Sequence, residues 1–179
     1  MKKVMVLLAN GFEEIEALTV VDILRRGNVN CHMVSIGGNK VNGAHGIEVI
    51  ADKTLDSVEE NLYDAIVLPG GMPGAENLKN NTRVVELVQR YYSDKKLVCA
   101  ICAAPMVLGY AGIMENVDFT CYPGFEVHVK DGNKKEDLVV KSHNIITGKG
   151  PAAAFEFAYL ILKTLGNKNT EEISKAMMF

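Results

Sequence analysis

Apolar residues along the chain follow two alternating patterns, short continuous runs and longer stretches with helical spacing. The continuous runs are rich in Val, Ile and Leu, which is typical of strands that are buried on both faces of a sheet. They predict five strands, at residues 3–9, 31–36, 65–70, 97–101 and 144–148. The helical spacing predicts five helices, at residues 13–27, 82–94, 104–112, 152–166 and 171–178.

This alternation of strands and helices predicts parallel βαβ units and a three-layer α/β sandwich with a mostly parallel sheet. Two weaker segments, NKVNG and GIEVIAD, predict a small hairpin after the second strand. The polar stretch KDGNKKEDLVV at residues 130–140 is interpreted as a hairpin turn. Because the chain has 179 residues and no linker or internal repeat, residues 1–179 are predicted to form one domain.

Composition and charge narrow the classes of function. A formal net charge of −3 gives no electrostatic reason to expect nucleic acid or an anionic membrane as a partner. The early apolar run VMVLLA is short and leads into acidic residues rather than a signal-peptide cleavage site. No stretch approaches the roughly 18 apolar residues that indicate a membrane span. Four cysteines in such a chain are typical of reduced thiols, so a cytoplasmic location is expected.

Three segments with candidate chemistry follow neighbouring strands of the predicted sheet. In a doubly wound sheet of strand order 2-1-3-4-5, ligands bind beyond the carboxyl ends of the central strands. The segments ANGFEEIE, LPGGMPG and AICAAP follow the first, third and fourth predicted strands. We therefore expect an acidic helix start, a glycine turn and a cysteine to meet in one crevice.

Cys102 lies where a buried strand turns into a helix, in the stretch KLVCAICAAPMVLGYAG. A nucleophile at such an elbow needs small neighbours, and Ala100, Ala103 and Ala104 meet that need. Free N–H groups at a helix start favour a thiolate. A buried structural thiol is the alternative, and these local features leave both interpretations open.

Two other uses of the cysteines are disfavoured. Cys99 and Cys102 form a C-x-x-C motif, but Cys99 lies within the predicted strand. Three extended steps separate the Cα atoms by roughly 10 Å, beyond the limit of about 7 Å for a disulfide. A zinc site that adds Cys121 and His128 lacks a second close pair of ligands.

An acidic residue and a glycine turn complete the candidate site. Glu13 and Glu14 are interpreted as acids that complement a helix dipole. Glu16 is expected to point inward and to share a proton with a facing thiol. The glycine turn PGGMPG, which includes Gly70 and Gly71, is expected to direct amide groups into the crevice as an oxyanion hole.

No histidine neighbours Cys102 in the sequence, so a Cys–His protease arrangement has no clear base. The thiol is instead expected to titrate well below the free value of about 8.5, with a neutral Glu16 as its partner.

Four motifs together resemble the ThiJ/PfpI superfamily, in the branch of the Parkinson's-disease-associated protein deglycase and its bacterial relatives. They are NGFEEIEALTVVDILRRG, LPGGMPGAENL, AICAAPMVL and TGKGPAAAFEFA, in family order and spacing over nearly the whole chain. The resemblance implies a flavodoxin-like sandwich, usually homodimeric. It also implies that Cys102 is an oxidisable nucleophile, that Glu16 is its protonated partner, and that the amides of Gly71 and Ala103 face the reacting oxygen.

The chain departs from the family pattern at three positions. The peptidase branch has a histidine directly after its cysteine, and this chain has Ala103, so proteolysis is disfavoured. Tyr122, in CYPG, takes the place of a pocket histidine of the human-type branch. His45 takes the place of a hairpin arginine, which puts in doubt a charge contact at the dimer interface, while Arg26 matches a nearby family arginine.

The resemblance implies an enzyme that acts on small reactive α-oxoaldehydes, as a glutathione-independent glyoxalase or a deglycase, and needs no metal or organic cofactor. The alternatives that it implies are an oxidative-stress sensor or redox-regulated chaperone that uses Cys102, or a role associated with thiazole (thiamine) biosynthesis.

Overall fold

The computed structural model describes the whole chain, Met1–Phe179. The strands are β1 (Lys3–Leu8), β2 (Asn30–Ser35), β3 (Lys40–Asn42), β4 (Glu48–Ile50), β5 (Lys53–Thr54), β6 (Ala65–Leu68), β7 (Leu97–Ile101), β8 (Asp118–Phe119), β9 (Asn133–Lys134), β10 (Val139–Ser142) and β11 (Ile145–Gly148). The α-helices are α1 (Glu14–Arg26), α2 (Gly74–Lys79), α3 (Thr82–Ser93), α4 (Pro105–Tyr110), α5 (Ala154–Thr164) and α6 (Thr170–Ala176).

Seven strands form the central sheet, in the order β10-β11-β7-β6-β1-β2-β5. The five strands predicted from the apolar runs are its middle members, β2-β1-β6-β7-β11, so the predicted order 2-1-3-4-5 is confirmed. They pair in parallel, and only β10 is antiparallel to its neighbour. The three central strands β1, β6 and β7 are almost wholly buried, which explains their continuous apolar sequence.

Helices cover the sheet in two groups, one containing α1 and α5, the other α2, α3 and α4. In α3, residues three and four apart form the buried face: Val84, Leu87, Val88 and Tyr91. The side chain of Asn81 begins this helix by accepting the N–H of Val84 at 3.2 Å. The two groups of helices give the three-layer α/β sandwich that the alternating pattern predicts. None of the helices has both the length and the apolar character needed to cross a membrane.

The structure corrects one sequence prediction and adds an element that the pattern did not reveal. The predicted hairpin turn at residues 130–140 is wrong, because β9 pairs in parallel with β8 and β10 pairs with β11. The tight turn lies at His143, whose φ of 54° places it in the left-handed region. The short helix α2 follows the glycine turn and was not predicted. The hairpin after β2 is confirmed, with β3 antiparallel to β4.

Candidate active site

Cys102 forms a sharp elbow between β7 and α4. Its φ is 64°, a left-handed conformation that costs a non-glycine residue of order 1–3 kcal/mol and persists only where surrounding contacts hold it. Two backbone hydrogen bonds do so: the N–H of Cys102 donates to the carbonyl oxygen of Gly148, and the N–H of Tyr122 donates to that of Cys102, both at 2.9 Å. The residue is 8% exposed, so the thiol is largely shielded from solvent.

Glu16 lies in the first turn of α1 and is fully buried. Its Oε2 accepts the N–H of Gly70 at 2.7 Å. Its Oε1 is buried without a hydrogen-bond partner, and the carboxyl group lies close enough to the Cys102 thiol for each group to perturb the pKa of the other. A buried carboxylate oxygen without a donor favours the protonated form, so this pair is a place where a proton can be held.

The glycine turn after β6 allows the thiol and the carboxyl group to approach each other. A Cβ atom at Gly70 would lie 2.7 Å from the Cβ of Cys102 and 2.7 Å from Oε2 of Glu16. Gly71 has a φ of 83°, and a Cβ there would meet the backbone N of Glu13 at 2.4 Å. Only glycines fit these two positions, because the backbone of the turn itself forms one wall of the site.

Burial raises the pKa of Glu16 to about 7. The pKa of Cys102 is also raised, first by burial and then by the negative charge of Glu16. The amides of Gly71 and Ala103, which hydrogen-bond to the sulfur, lower it by less. The prediction of an acidified thiol is therefore wrong in direction. The helix start and the two amides were anticipated from the sequence, but the cost of burial and the charge of Glu16 outweigh them.

The geometry gives the Cys102–Glu16 pair a defined chemical capacity. Since the pKa of each member is raised, the pair retains a proton at neutral pH, and ionised Glu16 is the neighbouring base that can accept the thiol proton during attack on an electrophile. Amides that face the sulfur stabilise negative charge there. The site can perform nucleophilic addition followed by proton transfer.

Tyr122 lies beside the elbow through its backbone bond to Cys102. Its side chain is 47% exposed and packs against Gly150 and, edge to face, against Phe125, with the ring centroids 6.3 Å apart. The structure thus places Tyr122 at the surface next to the thiol rather than between the thiol and Glu16.

His45 and Arg26 do not join Cys102. The ring of His45 is exposed and its Nδ1 lies 2.9 Å from Oε2 of Glu14 and 3.5 Å from Oε1 of Glu13. Arg26 ends α1 and pairs with Asp22 at 2.8 Å. Arg26 lies ten residues after Glu16 in the helix, so the two residues are about 15 Å apart along the helix axis. Within this chain, Arg26 therefore makes no contact with the site.

Glu13, Glu14 and His45 each have one potential metal-ligand atom within 4.8 Å of those of the other two, and no ion is present. The hydrogen bond to Glu14 raises the pKa of His45. Burial raises the pKa of Glu14, but its hydrogen bonds, first of all the one to His45, lower it by more. Because Glu14 also accepts the backbone N–H groups of His45 and Ile47, the cluster holds the hairpin loop against the start of α1.

The other cysteines lie outside the site. Cys31, Cys99 and Cys121 are buried, and none forms a disulfide. The site also depends on two backbone groups that sequence reasoning missed, the carbonyl oxygen of Gly148 and the N–H of Tyr122, which fix the elbow. These bonds join distant parts of the chain, and no local pattern signals them.

Comparison with known proteins identifies the family of the chain. A model of the DJ-1/PfpI family matches residues 2–164. Protein dj-1beta of Drosophila melanogaster is 33% identical over 99% of this chain and 97% of its own length. Protein DJ-1 homolog B of Arabidopsis thaliana is 36% identical over 97% of this chain. The chain spans only 40% of the length of homolog B and 46% of the length of homolog A of the same plant.

Solved structures are similar over the whole chain. A cysteine-to-alanine mutant of a DJ-1 superfamily protein from Salmonella typhimurium has a TM-score of 0.95 and 36% identity, covering 100% of this chain and 99% of that one. Oxidized DJ-1 of Toxoplasma gondii has a TM-score of 0.94 and 33% identity with the same coverage. The resemblance in the four sequence motifs is confirmed, and the chain belongs to the DJ-1/PfpI family.

Proposed function

We propose that the protein is a cysteine-dependent enzyme that converts small α-oxoaldehydes, such as methylglyoxal, to 2-hydroxy acids without glutathione. The observation that carries the proposal is the contact between the Cys102 thiol and the buried, partly unpartnered carboxyl group of Glu16. A buried nucleophile beside an acid that titrates near neutral pH suits reversible proton transfer on carbonyl carbons.

In the proposed reaction, Sγ of Cys102 adds to the aldehyde carbon while the thiol proton passes to Glu16. Glu16 gives this proton to the new alkoxide, which yields a hemithioacetal. The carboxylate then removes the hydrogen of the former aldehyde carbon as a proton and returns it at the neighbouring carbon through an enediol, while the hydroxyl proton moves from the first oxygen to the second. The resulting thioester is hydrolysed by water, which releases the 2-hydroxy acid and restores the thiol.

The low exposure of the thiol, 8%, supports a small substrate. An aldehyde of a few heavy atoms needs less opening of the site than an adduct on a folded protein. Free α-oxoaldehydes are therefore preferred over glycated proteins as the proposed substrates.

The direct test is lactate production from methylglyoxal by protein freed of metal and glutathione. We expect Glu16→Gln to lower kcat by about 10²–10⁴-fold, because the variant keeps the shape but has no transferable proton. Glu156→Gln, an exposed glutamate at the start of α5, is the matched control and should retain wild-type turnover. Equal rates for wild type and Glu16→Gln would remove Glu16 from the mechanism.

The same variant reports on the thiol. Since the charge of Glu16 raises the pKa of Cys102, Glu16→Gln should lower that pKa, and thiolate absorbance against pH should show the change. A variant with a more acidic thiol and lost turnover would separate the two roles of Glu16, as the source of charge and as the proton carrier. An unchanged thiol titration would contradict the electrostatic contact.

A second candidate function is sensing of oxidants by Cys102. The carboxyl group of Glu16, whose Oε1 has no hydrogen-bond partner, lies near the thiol, and its protonated form would donate a hydrogen bond to an oxygen added to the sulfur. After mild peroxide, the intact mass should increase by the mass of two oxygens in wild type and not in Cys102→Ser. Oxidation spread evenly over the four cysteines would eliminate this candidate.

The homodimer implied by the family resemblance is also a proposal. Ile15 and Ile47 are both 53% exposed and line one cavity with Glu13 and His45, so this face offers apolar surface to a partner. Light scattering of the purified protein tests it, and a monomer at micromolar concentration would contradict it.

A further inference from the structure

A separate cavity of about 360 Å³ opens at the carboxyl ends of β1 and β2, and neither Cys102 nor Glu16 lines it. The carboxyl ends of parallel strands are the usual place for ligands in this type of sheet. We call it the asparagine cavity, because its polar walls are formed chiefly by four amide side chains, joined by a serine and a lysine: Asn10, Asn77, Asn80, Asn81, Ser35 and Lys40.

Two of the amides present free donors. Oδ1 of Asn10 accepts the backbone N–H of Asn42 at 3.0 Å, and Oδ1 of Asn81 accepts the N–H of Val84 at 3.2 Å. A backbone N–H only donates, so these contacts fix which end of each amide is the oxygen. The Nδ2 groups of Asn10 and Asn81 therefore have two hydrogens each and no protein acceptor.

The other two amides present free acceptors. Nδ2 of Asn77 donates to the carbonyl oxygen of Asn10 at 2.9 Å, and Nδ2 of Asn80 donates to Oε1 of Glu76 at 3.3 Å. Both partners only accept, so the orientation of these amides is fixed in the opposite sense. Oδ1 of Asn77 and Oδ1 of Asn80 have no protein donor.

The remaining polar groups are one hydroxyl and one ammonium group. Ser35 is 2% exposed, and its Oγ accepts the N–H of Gly37 at 3.1 Å, which leaves its hydroxyl hydrogen for a ligand. The ammonium group of Lys40 is paired with Glu48 at 3.0 Å. No carboxylate lines the cavity. The only charge at the walls belongs to Lys40 and is shared with Glu48 in an exposed ion pair, so most of the polar groups that a ligand would meet are neutral.

A neutral ligand that fits these walls must donate and accept at neighbouring positions. Hydroxyl groups do both, so a ring with several adjacent hydroxyls offers donors and acceptors side by side. The volume lies at the lower end of the range of about 300–1,000 Å³ for small-molecule pockets. We propose that the asparagine cavity binds a neutral cyclic polyol, such as a monosaccharide or an inositol, independently of the chemistry at Cys102.

The test is a titration of the isotope-labelled full chain with D-glucose, D-ribose and myo-inositol, followed by backbone amide shifts. We expect saturable shifts at Gly37, Gly38 and the segment 77–81 for at least one of these probes. Tetrahydropyran, a ring of similar size without hydroxyls, should shift none of them. Shifts that are linear with concentration for every polyol, or equal shifts with tetrahydropyran, would overturn the proposal.

Variants separate a built site from nonspecific contact. Asn80→Ala removes one free acceptor at the cost of a single weak surface bond, and the loss of a hydrogen bond to a neutral ligand should weaken binding about 2- to 10-fold. Asn133→Ala changes an exposed asparagine of β9 far along the chain and should leave affinity unchanged. Equal affinity of wild type and both variants would overturn the assignment of these walls.

Discussion

Cys99 lies in the middle of β7 and Cys102 one residue beyond its end, so the two thiols differ by three positions in one buried segment. Cys99 is fully buried, with Val67 and Ile146 opposite it on the neighbouring strands, and burial alone raises its pKa. Cys102 is nearly as buried, but the backbone reverses at it and turns the sulfur toward Glu16 and two amide groups. The direction of the chain, rather than the small difference in burial, brings only one of the two thiols to Glu16 and the two amides.

The largest effect should separate the two thiols by activity. Cys102→Ala should lower methylglyoxal turnover by on the order of 10³-fold or more, as removal of a nucleophile does in other enzymes. Cys99→Ala should leave turnover near wild type and cost about 1 kcal/mol of stability through lost packing. Rates of lactate formation and urea unfolding check both. A large loss of activity in Cys99→Ala, with stability preserved, would break the comparison.

A substitution at Gly70 should disturb the reactive thiol without touching Cys99. A Cβ atom there would lie 2.7 Å from both Cys102 Cβ and Glu16 Oε2, so Gly70→Ala should push the pair apart. A misplacement of about 1 Å can cost about 10²-fold in rate. Gly38→Ala, where a Cβ meets nothing within 4 Å, is the control for turnover. Full activity in Gly70→Ala would mean that the pair tolerates separation.

The titration of Glu16 should appear in the stability of the protein. Its pKa in the fold, about 7, lies above the ordinary value of 4.5, so the protonated form favours folding. The stability it contributes is fully present below pH 4.5 and declines as pH rises through 7. The decline is at most about 3 kcal/mol, at 1.36 kcal/mol per pKa unit. Glu16→Gln should show a smaller decline in urea unfolding between about pH 5 and pH 8.

Glu156→Gln should keep the wild-type dependence on pH, because that side chain is exposed. A wild-type protein whose stability is constant over the same interval would show that Glu16 is ionised in the fold as readily as in the unfolded chain.

The smallest expected difference between the two thiols is in their rates of alkylation. Iodoacetamide should modify Cys102, which is 8% exposed, at least about tenfold faster than Cys99, which is 0% exposed, because only an accessible thiol reacts without local opening. Peptide mapping after brief treatment measures the ratio. Similar rates for both would show that the elbow gives Cys102 no accessibility of its own.

The sequence predicted most of the fold because the buried strands are continuous apolar runs. β1, β6 and β7 were located to within two residues, and the strand order placed Cys102, Glu16 and the glycine turn together. The acidity of the thiol was not predictable, since it depends on how completely Glu16 and Cys102 lose water. The short strands β8 and β9 were not predictable either, because they pair across the chain with only two residues each.

The position of Arg26 shows a different limit. The family resemblance makes Arg26 a candidate residue of the pocket. In this chain, however, Arg26 ends α1 and forms an ion pair with Asp22.

The loop at residues 43–47 has a property that matters for engineering the chain. It is exposed and contains two glycines, which is typical of a place that accepts inserted peptides. However, the buried carboxylate of Glu14 accepts the N–H of His45 at 2.8 Å and that of Ile47 at 3.4 Å. An insertion here would take both donors from a buried charge, whereas one after Gly38, where a side chain meets no neighbour, leaves every such contact in place.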